Sequence, residues 1–248
     1  RLCSSAASDV YKRQELYNDI SFKNHMNFSI NHVFLRIEGS QADEFLQGQI
    51  TVDTNKVIEE EFIPSCICSN KGRVISTFWI KRNERGFEIA LLDELRIDFQ
   101  NHMGKYIPFF DAEIKMAEDK NNMNPFSSSE WMKFLIKLNI VEINKNISTK
   151  FTPHELNYHL NGIVDFSKGC FNGQEVIARM EYRGKLKFAL KTSNDLPEIS
   201  SASLITNKDG KKIGEILSKV GRSGFIYFKN QEDSDKPFYL SGEEVKIS

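Results

Sequence analysis

Apolar and polar residues alternate with period two over two long stretches of the chain, and between and beside these they recur every three or four positions. "NHVFLRIEG" (31–39) reads as a strand. Ser40 is then expected to cap a helix, with Asp43 three residues on and Ala42, Phe45, Leu46 and Ile50 at helical spacing. From 61 to 92 the pattern predicts three strands, "FIPSCICS", "RVISTFWIK" and "GFEIALL", joined by the turns "NKG" and "NERG". Leu95, Phe99 and Met103 mark one stripe of a further helix, and "AEIKMAE" a further strand, so 52–118 is expected to be a compact α+β unit. The polar stretch "DKNNMNPFSSS" (119–129) reads as a linker. Trp131, Phe134, Leu135 and Leu138 follow it on one helical face. Residues 174–182 form an amphipathic helix through Val176, Ile177 and Met180. Its start is expected at an Asn172 cap, with Glu175 reaching back to the cap and Phe171 stapled to Val176. After Gly184, short strands such as "KLKFALK", "ASLIT", "KKIGEILS" and "GFIYF" predict a small sandwich or barrel.

Composition narrows the function. The 248 residues carry 33 basic and 34 acidic side chains, so the net charge of -1 supplies no global field for nucleic acid, and any RNA contact must be local. No apolar run approaches the roughly 20 residues needed to cross a bilayer. Four cysteines (Cys3, Cys66, Cys68, Cys170) and the absence of a secretory layout point to a reducing, cytoplasmic setting. The opening "RLCSSAASDVYKRQ" resembles a translated adapter peptide, and residues 1–14 are expected to be non-native.

The candidate chemistry centres on "KGCFNGQE" (168–175). Cys170 falls two residues ahead of the expected cap, near free N–H groups and the positive end of a helix dipole, with Lys168 and Arg179 close in sequence. Such surroundings lower a thiol pKa. A small buried cysteine completing the turn accounts for the same spacing. Cys66 and Cys68 share one face of a strand, and no further ligands follow them at metal-site spacing, so core packing is the default and no metal is expected. His154 and His159 read as surface residues. No phosphate loop, HExxH pair or nucleophile elbow occurs. The basic cluster Arg179, Arg183, Lys185, Lys187 and Lys191 is a solvated face, a partner for carboxylates, or a phosphate contact.

"KGCFNGQEVIARMEYRGKLK" (168–187) resembles the signature of the YgfZ family, the folate-binding branch of the aminomethyltransferase-like superfamily associated with tRNA modification and iron–sulfur maintenance. "LRIEGSQADEFLQGQITVD" (35–53) and "FTPHEL" (151–156) resemble two further family segments. The resemblance implies three modules around a central folate cleft. These are a first domain split between 26–51 and 125–184, a ferredoxin-like domain inserted at 52–124, and a C-terminal β-barrel at 185–248. It implies bound tetrahydrofolate, with Trp131 as one flanking aromatic and His32 where the family has the other. Gln174, Glu175, Arg179 and Tyr182 complete the implied folate-binding set, and Cys170 is the functional thiol with Lys168 beside it. The implied partners are iron–sulfur enzymes, including tRNA-modifying ones, with no direct tRNA contact expected. An aminomethyltransferase-like one-carbon transfer enzyme is the alternative. That branch carries acids on the hairpin where this chain has Ser76 and Thr77, and hydroxyls are poor bases near neutral pH.

Overall fold

In β1 (His32–Glu38), Leu35 and Ile37 are sealed on one side of the strand and Phe34 on the other. The alternation continues through β2 (Ile63–Cys68), β3 (Val74–Asn83) and β4 (Gly86–Leu92). It sends Ile67, Phe78, Ile80, Phe87 and Ile89 to the first side and Cys66, Cys68, Trp79 and Ala90 to the second. Successive strand residues point to opposite faces, so a run such as "FEIALL" marks a strand covered on both sides. β5 (Glu113–Ala117) completes an antiparallel sheet of order β2-β3-β4-β1-β5. This is a computed structural model, and it describes residues 26–117, 124–183, 187–198, 204–229, 238–240 and 243–245. The adapter-like residues 1–14, Gly184 and Lys185 lie outside the described residues.

Helices α1 (Ala42–Gln47) and α2 (Arg96–Met103) cover the Leu35 face through Phe45, Leu46, Phe99 and Met103. α1 ends before Ile50, and Ser40 does not cap it. The Ser40 hydroxyl donates instead to the Asp111 carboxylate, and Gln41 occupies the cap position without capping the helix through its side chain. The expected division at residue 52 runs through the sheet. β1, assigned to the first domain, is hydrogen-bonded between β4 and β5, because its Leu35 and Ile37 belong to the same apolar layer as Phe87 and Ile89.

On the opposite face lies α3 (Ser128–Leu138). It opens with a capping box, in which the Ser127 hydroxyl accepts from the Glu130 N–H while the Glu130 carboxylate accepts from the Ser127 N–H. It closes on Asn139 in the left-handed region. Trp131, Leu135 and Leu138 pack there with Trp79, with Val141 and Phe151 of the following loop, and with Ile177 of α4 (Gln174–Arg183). The second sheet closes over the same core. Its strands are β6 (Phe188–Ser193), β7 (Leu204–Thr206), β8 (Lys212–Val220), β9 (Ser223–Lys229), β10 (Phe238–Leu240) and β11 (Glu243–Val245), in the order β11-β10-β7-β8-β9-β6. β9 directs Phe225 and Tyr227 into the shared core, and Ile226 and Phe228 into a separate cluster with Ile205 and Ile216. The expected barrel is not closed among the described residues. β6 and β11 lie at opposite ends of the sheet, and β7, β10 and β11 are three residues each, too short for the tilt and stagger that closure requires. No helix among the described residues is long and apolar enough to cross a membrane.

Candidate functional site

The loop 163–173 lies across "QGQIT" (47–51), which starts on the last residue of α1, so two segments far apart in sequence form one structure. The Thr51 hydroxyl donates to the Ile163 carbonyl at 2.6 Å, the Asp165 N–H to the Thr51 carbonyl at 2.9 Å, and the Asn172 N–H to the Gly48 carbonyl at 3.0 Å. Lys168 provides the central tie. Its Nζ donates to the carbonyls of Gln47 at 2.8 Å and Ile50 at 2.7 Å, the first an acceptor that the end of α1 leaves open. The side chain is buried, and loss of solvent lowers its pKa to about 8 against the opposing pull of Asp53 and Asp165. The ammonium is thus committed to backbone oxygens and holds the loop from beneath.

Cys170, two residues on, is exposed. Gly169 has open space where a side chain would stand, whereas Gly173 has φ +84° and a Cβ there would lie 2.5 Å from the Ser69 carbonyl oxygen. Only glycine fits position 173, where the loop meets the β2–β3 turn. The expected cap of α4 does not form. The Asn172 amide donates to the Tyr106 hydroxyl at 2.8 Å, and Glu175, exposed, pairs with Arg179 at 2.9 Å. Gln174 is half-buried, and Tyr182 is 75% exposed. Of the rest of the basic cluster, Lys187 and Lys191 are exposed, while the Arg183 side chain and Lys185 fall outside the described residues.

The two aromatic positions singled out in the sequence, Trp131 and His32, do come together, with ring centroids 4.8 Å apart edge to face. Both are buried, at 3% and 8% exposure. Phe134 stacks on Trp131 at 5.1 Å, and Phe28 contacts both rings. Between them stands Glu142, which sequence reading missed. Trp131 Nε1 donates to its Oε2 at 2.8 Å, and its Oε1 lies 2.9 Å from His32 Nε2. His32 Nδ1 is buried without a partner. The adjacent Ile143 N–H donates to the Thr77 hydroxyl at 2.8 Å, which ties the backbone after Glu142 to the hairpin that lacks acids. The signal for Glu142 was an acid isolated in the apolar run "LNIVEI".

Cys66 and Cys68 are fully buried with sulfurs 3.9 Å apart, as core packing requires. The hydrogen bond from Cys66, with burial, pushes the Cys68 thiol well up. No group of three metal-ligating side chains occurs among the described residues. His154 is not a surface residue. It is 3% exposed, its Nε2 lies 2.9 Å from Glu181 of α4, and its ring packs on His159 at 4.6 Å. Glu155 joins three parts of the molecule, accepting from Arg73 at 3.0 Å, the Thr152 hydroxyl at 2.9 Å and the Tyr227 hydroxyl at 2.8 Å. Open cavities of 320 to 390 Å³ occur elsewhere on the surface, and Trp131, His32 and Cys170 line none of these.

No protein-family profile matches the chain. Among curated proteins it is 24% identical to the tRNA-modifying protein YgfZ of Hamiltonella defensa, over 75% of this chain and 76% of that protein. It is 26% identical to the YgfZ protein of Buchnera aphidicola from Acyrthosiphon pisum, over 74% and 79%. Among solved structures, the glycine cleavage system aminomethyltransferase T of Bartonella henselae superimposes with a TM-score of 0.65 at 13% identity, covering 95% of this chain and 86% of that one. The chain thus resembles the YgfZ tRNA-modifying proteins in sequence over most of its length and has a fold similar to that of aminomethyltransferase T.

Proposed function

We propose that the protein is a cytoplasmic accessory factor of the YgfZ type, one that binds tetrahydrofolate and supports iron–sulfur enzymes, tRNA-modifying ones among them, through the Cys170 thiol. The observation that carries this reading is an exposed sulfur on a loop pinned from below by the two Lys168 bonds and by Asn172. A thiol so held is open to an electrophile, a cluster iron or a partner's sulfur, while Cys66 and Cys68 are closed to all three. The test is rescue of a bacterial strain lacking its own YgfZ protein. Cys170→Ala should fold with an unchanged melting temperature and fail to rescue; full rescue would remove the thiol from the proposal.

Tetrahydrofolate supplies one-carbon chemistry when bound. The stacking role expected of Trp131 and His32 does not fit, because their faces are filled by Phe134, Phe28 and each other. The candidates that remain open are Arg179, whose guanidinium suits the carboxylates of a glutamate tail, and Tyr182 one turn on. Titration with tetrahydrofolate, followed by tryptophan fluorescence, should give a saturable change that Arg179→Ala weakens. No saturable change would remove the cofactor.

One observation favours the transferase reading as second choice, namely an acid, Glu142, on the loop that the Ile143 N–H ties to Thr77. Turnover of a methylated amine with tetrahydrofolate, lost in Glu142→Gln, would establish it.

A further inference from the structure

Between the last turn of α2 and the loop 145–149 lies an open cavity of about 390 Å³ that Cys170 does not line. Its walls present His102 and Lys105 on one side and Lys145 and Thr149 on the other. Lys105 has no carboxylate within 4.0 Å among the described residues, and Lys145 is paired with Asp98, which also lines the cavity. Thr149 stands at φ +62° with its N–H donating to the Val74 carbonyl, and it is exposed at the rim. His102 is 6% exposed, packs on Tyr106, and has a buried Nε2 with no hydrogen-bond partner. Loss of solvent, and secondarily Lys105, lowers its pKa to about 4. At neutral pH it therefore adds no charge to the cavity wall.

Two ammonium groups against the single Asp98 carboxylate leave the wall net positive, which argues against a cation. A simple carboxylate would use one of them and leave most of the volume unfilled. Lysine binds phosphate as a point charge, and the volume falls in the range of small-ligand sites. We propose that this cavity binds the phosphate of a nucleotide-sized ligand, held between Lys105 and Lys145 with Thr149 and His102 at its edge. The proposal stands apart from the role of Cys170. The same phosphate chemistry is offered by a free nucleotide and by one unit of an RNA strand.

The full chain, titrated with inorganic phosphate, AMP and a short single-stranded RNA, separates these sources when NMR follows the His102 imidazole and the amides of 101–106 and 145–149. A saturable shift is expected with AMP or with RNA. Tighter binding of RNA assigns a strand, and equal or tighter binding of AMP a free nucleotide. Lys105→Glu should weaken binding at least about tenfold. Asp98→Asn, which frees Lys145, should tighten it severalfold. Inorganic phosphate binding as tightly as AMP and RNA, no saturable shift with any probe, or a Lys105→Glu variant that binds as well as the parent overturns the proposal.

Discussion

Lys168 and Glu142 are both charged side chains placed in the interior, and each holds two hydrogen-bonded partners, yet they build opposite kinds of site. Around Lys168 the partners are backbone carbonyls, and the chain leaves them within two residues to put Cys170 in solvent. Around Glu142 the partners are ring nitrogens, and their rings pack into an aromatic layer of Phe28, Trp79 and Phe134. A buried charge is therefore no mark of chemistry by itself. In one region it is a peg beneath an exposed group, and in the other it reconciles two polar ring atoms with the interior they occupy.

The comparison breaks most readily at Glu142. Replacing it with Leu leaves Trp131 Nε1 and His32 Nε2 buried and unpaired, and should cost about 3 kcal/mol in urea unfolding. Glu142→Gln, which keeps an acceptor, should cost about 1 kcal/mol. A loss below about 1 kcal/mol for the leucine variant would mean that water reaches the cluster and that its rings are more available than their packing indicates. Lys168→Met comes next. It strips donors from the Gln47 and Ile50 carbonyls and should cost about 2 kcal/mol near pH 7.

The same variant carries a pH signature. The folded Lys168 has a pKa of about 8 against 10.5 in the unfolded chain, so between these values the unfolded state holds the extra proton and stability rises with pH. The advantage of the parent over Lys168→Met should therefore grow from pH 8 to pH 10.5 by on the order of 1–3 kcal/mol. A flat difference would place the ammonium in contact with water.

The sheet elements were legible because alternation is local. β1 to β4 lie where period two placed them, and the pairing of Cys66 with Cys68 on one face followed from it. The caps were not, because the side chains expected to make them are claimed by distant partners. Ser40 is taken by Asp111 and Asn172 by Tyr106, 71 and 66 residues away. The capping box that does form, Ser127 with Glu130, opens in the last residues of a stretch read as linker. Likewise, "KGC" and "QGQIT" each stood out in sequence, but nothing local says that the lysine of one fills the carbonyls of the other. Glu142 was hidden for the same reason, since its meaning depends on His32, 110 residues earlier.

The smallest effect on stability is expected at Cys170, and there the contrast is sharpest. An exposed side chain has little packing to lose, so Cys170→Ala should shift unfolding by less than about 0.5 kcal/mol. Its reactivity should be the reverse of its stability. A disulfide reagent added to the folded parent should modify one more thiol than in Cys170→Ala, while Cys66 and Cys68, fully buried, should react only on unfolding. Counting the difference between parent and variant sets Cys3 aside, since it is common to both. Equal counts in the folded state would mean that the loop folds over its sulfur in solution, and that the tether through Lys168 serves the structure of the loop alone.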